Sequence, residues 1–169
     1  AARRWLGTSQ SQFQLDCEAV DAAFFLWRSA GLTVIMGAVY LSPTNLTCIS
    51  PENLQRLQHI AIYLKQHTAP FILYGDWNAE PQLLTQTNWV RKLGGVVLAP
   101  QVPATCSMGK GRVLDYFVIS ESLKHAVTRL DVDSDSPWRP HLGLKLGLLA
   151  KPCRLMVYKQ LVPAPCPLA

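Results

Sequence analysis

The sequence predicts an α/β fold, and three observations carry that prediction. Short apolar runs bounded by Gly or Pro recur, as in Val34-Ile35-Met36-Gly37-Ala38-Val39-Tyr40 and Pro70-Phe71-Ile72-Leu73. Runs of that length read as buried strands. Between these two, Leu54, Leu57, Ile60, Ala61 and Leu64 recur at the spacing of one helix face. Later, Leu142-Gly143-Leu144-Lys145-Leu146 alternates as a half-buried strand does.

The elements follow in order. Residues 22–27 and 32–41 read as two antiparallel strands around a short turn at 28–31. Ser50-Pro51-Glu52-Asn53 opens a helix, with Ser50 as N-cap, Pro51 at the first position and Glu52 in the first turn. That helix should end near His67, because Thr68-Ala69-Pro70 cannot continue it. Residues 81–93 read as one short helix that turns Leu83, Leu84 and Trp89 inward and is broken by Gly94-Gly95. A brief strand at 96–98 leads into a Pro- and Gly-rich surface loop at 99–112. A strand beginning near Asp115, a helical turn at 121–126 and a strand at 127–132 complete the pattern. The domain therefore spans residues 22–149, after an unplaced segment at 1–21 and before a Pro-punctuated tail or linker at 150–169.

Composition narrows the class. At 169 residues, 49% hydrophobic and 16% charged, the chain fits one domain with a real core and does not read as disordered. A net charge of +5 is compatible with a polyanionic partner. The chain has no run of eighteen apolar residues, so no membrane span is expected. Its start, Ala1-Ala2-Arg3-Arg4-Trp5, lacks an initiator Met and an apolar signal core, which favours an intracellular (nuclear or cytoplasmic) setting and a true start that lies elsewhere. Cys17, Cys48, Cys106, Cys153 and Cys166 show no zinc spacing and read as free thiols. The sequon Asn45-Leu46-Thr47 is short enough to arise by chance.

The chemistry-bearing stretch is Tyr74-Gly75-Asp76-Trp77-Asn78-Ala79-Glu80-Pro81. Residues i and i+2 of a strand share a face. Asp76 and Asn78 should emerge together at a strand's C-terminal edge. The carboxylate can orient or deprotonate a water; the carboxamide can donate to a phosphate oxygen without repelling it. For the tetrapeptide alone, a polar turn after a strand is the simpler reading. Three further motifs shift the balance: a strand ending Tyr40-Leu41-Ser42-Pro43, then Leu114-Asp115-Tyr116, then Arg139-Pro140-His141 ahead of the alternating strand.

In that order and spacing, the four motifs resemble the C-terminal part of the endonuclease/exonuclease/phosphatase superfamily. The resemblance covers residues 22–148 and implies the C-terminal half of a DNase I-like four-layer α/β sandwich, with mostly antiparallel sheets and flanking helices. It implies Mg²⁺-dependent phosphodiester hydrolysis of the nuclease type, with nucleic acid as partner. Asp76 would orient the attacking water and Asn78 would stabilise the transition state. Asp115 would pair with His141, which faces the scissile phosphate, and the Tyr40 hydroxyl would bind the same phosphate. A carboxylate on one imidazole nitrogen fixes the tautomer and raises the basicity of the other. Asp76 and Asn78 would also be the metal ligands. Lys110 and Arg112, in the loop before Asp115, are candidate phosphate contacts. Trp77 and Trp138 flank the site in sequence; core packing is the better assignment for Trp77. His59, His67 and His125 read as solvated.

Two departures qualify the resemblance. Pro140 stands where many members carry Asp, and Asp133 and Asp135 are the acids nearest before it. Glu18 is the single glutamate upstream of Tyr40, in a context unlike the family's metal ligand, so the domain is expected to be N-terminally incomplete and weakly active. The analogy extends to an endonuclease module of a retroelement. Two alternatives stay open: a non-catalytic segment or pseudoenzyme that binds nucleic acid or protein, and a phosphatase acting on a phosphorylated lipid or sugar.

Overall fold

The computed structural model describes residues 8–9, 21–29, 32–43, 47–108, 110–137 and 139–149. The N-terminal segment at 10–20, the tail at 150–169 and Trp138 lie outside them. Eight strands are present among these residues: β1 (Thr8–Ser9), β2 (Ala22–Ser29), β3 (Leu32–Tyr40), β4 (Phe71–Asp76), β5 (Gly95–Leu98), β6 (Asp115–Ser120), β7 (Val127–Asp133) and β8 (Gly143–Leu148). Helices α1 (Pro51–Lys65), α2 (Pro81–Gln86) and α3 (Trp89–Lys92) and a 3₁₀ turn at Glu121–Ala126 connect them.

Six strands form one sheet in the order β1-β2-β3-β4-β6-β5, and β7-β8 form a second. The β3–β4 pair is parallel, with α1 as its crossover; every other pair is antiparallel. The two faces of the large sheet are covered differently. On one, Phe24, Ile35, Val39, Phe71, Leu73 and Val118 bury against Leu57, Ile60 and Leu64 of α1 and Leu84, Trp89 and Val90 of α2 and α3. On the other, Val34, Ile72, Phe117 and Ile119 meet Leu123 and the β7–β8 residues Leu130, Leu144, Leu146 and Leu148. That second layer does not reach the end of β3, where Ala38 and Tyr40 remain exposed and Met36 half-buried. Helices, six-stranded sheet and β7–β8 hairpin thus form successive layers.

Helix α1 starts where its sequence says it should. Ser50 is extended (φ −64°, ψ 155°), and its hydroxyl accepts the Asn53 N–H at 3.3 Å. Asn53 is buried, and its side chain grips the main chain after β3: Oδ1 accepts from Ser42 N at 3.1 Å and Nδ2 donates to Ser42 O at 2.8 Å. Arg56 adds hydrogen bonds to Ser42 Oγ and Asn53 Oδ1. The exit of β3 is therefore pinned from α1.

Four expectations are corrected. Leu54 is 38% exposed, because the inward face of α1 rotates onto Asn53, Leu57, Ile60, Tyr63 and Leu64. The single helix over 81–93 is two, since Asn88 adopts φ +60° and interrupts it. His67 is not simply solvated; its ring packs on Tyr63 at 4.9 Å. The loop at 99–112 is not only surface: Thr105 and Cys106 are buried, and Cys106 bridges to both Arg112 and His141.

Candidate active site

Register builds the site. Tyr40 pairs with Asp76 across β3–β4, and Asp76 pairs with Asp115 across β4–β6. Residues paired across adjacent strands share a face, so three chemically active side chains stand in a row at one end of the sheet. They lie on the face that meets the β7–β8 hairpin. Gly75 makes the close approach possible: a Cβ there would collide with the Val39 carbonyl oxygen on β3. That collision gives the Gly of the Gly-Asp pair its physical reason.

The turn after β4 then places Asn78. Its φ of +45° is a left-handed conformation that Asn tolerates better than most residues. Its backbone N–H donates to Asp76 Oδ1 at 3.2 Å, and its Nδ2 donates to Leu41 O at 2.7 Å. The carboxamide assigned to phosphate from sequence is thus partly committed to the scaffold. Trp77 points the opposite way, fully buried, with Nε1 donating to Tyr116 O at 3.0 Å and its ring stacked on Tyr116 at 5.5 Å. The Tyr116 hydroxyl donates to Ala79 O at 3.0 Å, closing the turn.

His141 arrives from the other sheet, just before β8. Its Nδ1 lies 2.9 Å from Asp115 Oδ2, and its Nε2 lies 3.8 Å from Asp76 Oδ2. The imidazole is 29% exposed, between a nearly buried carboxylate (Asp115, 3%) and a more open one (Asp76, 22%). Asp76, Asp115 and His141 each offer one donor atom within 4.8 Å of one another. Neither Asp133 nor Asp135 joins them; Asp133 instead pairs with Lys145 at 2.7 Å and accepts the Asp135 N–H.

Burial raises the Asp76 pKa, and the neighbouring Asp115 charge raises it further; the Asn78 N–H, His141 and the Asn78 carboxamide pull it down, and the net is upward. The net direction thus follows from burying one carboxylate beside another. Tyr74, two residues before Asp76 on the same face, is pushed up to about 12 by burial and then by Asp115 and Asp76. It remains a neutral phenol against the site, packed on Phe117 at 5.1 Å. Tyr40 is 43% exposed and free to reach a ligand.

Lys110 is exposed and Arg112 half-buried in the loop whose Cys106 bridges to His141. Thr105 stands ahead of the Asp115 strand and Tyr74 opens the Gly-Asp-x-Asn stretch, but the sequence assigns neither a role at the site. Thr105 lies in an aperiodic loop, and Tyr74 is indistinguishable from any strand aromatic.

The fold is the DNase I-like fold of endonuclease, exonuclease and phosphatase proteins. It is similar to the endonuclease domain of TRAS1, a telomere-specific non-LTR retrotransposon, with a TM-score of 0.57 and 15% identity over 75% of this chain and 63% of that one. It is similar to the AP endonuclease LMAP from Leishmania major, with a TM-score of 0.54 and 13% identity over 74% of this chain and 53% of that one. A mannosyl-6-phosphatase from Bacteroides thetaiotaomicron matches with a TM-score of 0.53 and 14% identity over 75% of this chain and 52% of that one. The chain thus spans between half and two thirds of the length of these three structures. No protein-family profile matches the sequence, and no curated protein does.

Proposed function

We propose that this domain hydrolyses phosphodiesters of nucleic acid at the Asp76–Asp115–His141 cluster. The observation that supports the proposal best is the placement of His141 between two carboxylates, with Nδ1 held by Asp115 and Nε2 facing Asp76. The Asp115 carboxylate accepts the Nδ1 proton and leaves Nε2 directed at the open side of the site. A phosphate bound there accepts a hydrogen bond from the Tyr40 hydroxyl, and the attacking water beside it donates one to His141 Nε2. Asp76 orients a water in line with the leaving oxygen. As the water oxygen bonds to phosphorus, its proton passes to Asp76 and the opposite P–O bond breaks. The leaving oxygen takes its proton from solvent.

The donor set suits a hard divalent cation such as Mg²⁺, which takes oxygen ligands and commonly binds through one or two carboxylates plus substrate phosphate oxygens. Asp76 Oδ2 and the Asn78 carboxamide oxygen would hold it. When bound, it would neutralise charge on the phosphate. Asp115 Oδ2 is engaged by His141, so of Asp115 the other carboxylate oxygen would be the one to face a cation. The net charge of +5 and the cations Lys110 and Arg112 near the site favour a polyanion over a small phosphate ester.

Among the described residues no helix is long and apolar enough to cross a membrane. The test is single-turnover cleavage, with protein in excess, of labelled duplex DNA, labelled single strand, a phosphoinositide and a phosphosugar, each with Mg²⁺ and with EDTA. Metal-dependent cleavage of a nucleic acid, lost in Asp76→Asn and His141→Ala, is expected. Preference for a phosphoinositide or phosphosugar would make the site a phosphatase. Nucleic-acid binding with no cleavage of any substrate would make the domain a binding module.

A further inference from the structure

We propose that Thr105 is a positioning residue that sets the Asp115–His141 pair by holding the main chain beside both partners. The proposal rests on the assignment of that pair as catalytic. Thr105 is fully buried. Its Oγ1 accepts two successive backbone N–H groups, from Leu114 and from Asp115, each at 2.9 Å. Its carbonyl accepts the N–H of Leu142, next to His141, at 2.8 Å, and its own N–H donates to Arg112 O at 2.9 Å. One residue therefore fixes the first residue of β6 through its side chain and the approach to β8 through its backbone.

The side chain is the part that chemistry selects. A hydroxyl oxygen has two lone pairs, and both are occupied by these N–H groups. Valine has the same shape and no acceptor. It would leave two buried N–H groups without partners, a costly state that the chain relieves by moving. The residue that moves is Asp115, whose carboxylate sits 2.9 Å from His141 Nδ1. Neighbouring bonds hold the rest of the loop: Ser107 donates through N and Oγ to Pro140 O, both at 3.1 Å, and Cys106 bridges to His141. Those bonds are main-chain or exposed, so they survive the substitution and confine the effect to β6.

Two readouts separate this proposal from the one it rests on. The first needs no activity: ¹⁵N shifts of the His141 ring in the full chain report which nitrogen carries the proton. The parent and Thr105→Ser are expected to show the Nδ1–H tautomer. Thr105→Val is expected to lose that preference while the amide spectrum of β2 and β3 stays unchanged. The second is single-turnover cleavage, where Thr105→Val should lower the saturating rate on the order of 10²-fold with the half-saturating protein concentration nearly unchanged, and Thr105→Ser should restore it. If Thr105→Val does not fold, Thr105→Ala supplies the hydroxyl-free arm. A parent without activity but with a Thr105-dependent tautomer would sink the hydrolase assignment and keep this one. A hydroxyl-free variant that retains the Nδ1–H tautomer, or a serine variant that loses it, overturns the role given to Thr105.

Discussion

His141 Nδ1 lies 2.9 Å from Oδ2 of Asp115, a residue 26 positions earlier in the chain. The bond joins β6 of the six-stranded sheet to the segment that leads into β8. Its other consequence is an asymmetry. One carboxylate touches the ring and is nearly buried, and the second stands 3.8 Å from the far nitrogen and is more open. The near one suits orientation, the far one suits work on a water.

Replacing Asp115 by Asn keeps shape and removes charge. The amide would hydrogen-bond either tautomer, so Nε2 would no longer be held as the acceptor. The expected loss is about 10²–10⁴-fold in single-turnover cleavage, with thermal stability near that of the parent. A variant as fast as the parent would remove Asp115 from the mechanism.

Asp76→Asn should trade function for stability. Burial raises the pKa of Asp76 above the ordinary 3.8 of a free Asp side chain, so the folded state holds that proton more tightly than the unfolded chain. Below the unfolded value both states are protonated and nothing is lost. As pH rises through the folded value the penalty of the buried charge becomes complete. Asn carries no charge at any pH. Asp76→Asn should therefore raise Tm at pH 7, and the gain should shrink as pH falls toward 3.8. Thermal melts across that range measure it; a gain that grows on acidification would reverse the assigned sign.

Tyr74 and Tyr116 set the alkaline limit. Burial, with help from Asp115 and Asp76, lifts Tyr74 to about 12, and burial lifts Tyr116 as well. The unfolded chain ionises these phenols near their ordinary value of 10.0. Stability should thus fall as pH climbs above 10.0. Tyr74→Phe should flatten that fall. Phenolate absorbance and melts in alkaline buffers test it, and identical alkaline slopes in parent and variant would exclude the contribution.

Much of the fold was legible because it rests on local signals. Ser50 and Pro51 mark a helix start, and the apolar runs around Val34 and Phe71 mark strands. Their pairing was not legible, yet pairing makes the site: Tyr40, Asp76 and Asp115 align only because β3 runs parallel and β6 antiparallel to β4. The split at Asn88 and the burial of Thr105 were invisible for a related reason. Each depends on a residue distant in sequence or on a backbone angle that composition does not encode. Gly75 lies between these cases, since its presence before Asp76 was plain and its contact with β3 was not.

The last prediction concerns Lys110 and Arg112. Lys110 is exposed and Arg112 half-buried, on the loop that bridges to His141 through Cys106. A cation that contacts a DNA phosphate releases a condensed counterion, so each such contact steepens the fall of affinity with salt. Removing one should reduce the log–log slope by about 1, across all sequences alike. Lys110→Ala and Arg112→Ala should each do so for duplex binding, measured by fluorescence anisotropy between about 50 and 200 mM salt. The double variant should lose about twice that. The ion pairs of the cluster join His141 to Asp76 and Asp115, with neither cation among them, so cleavage at saturating DNA should stay close to the parent rate. An unchanged salt slope would move the polyanion contact away from this loop. A lower cleavage rate at saturation would show that these cations act on the reacting phosphate and not only on the flanking backbone.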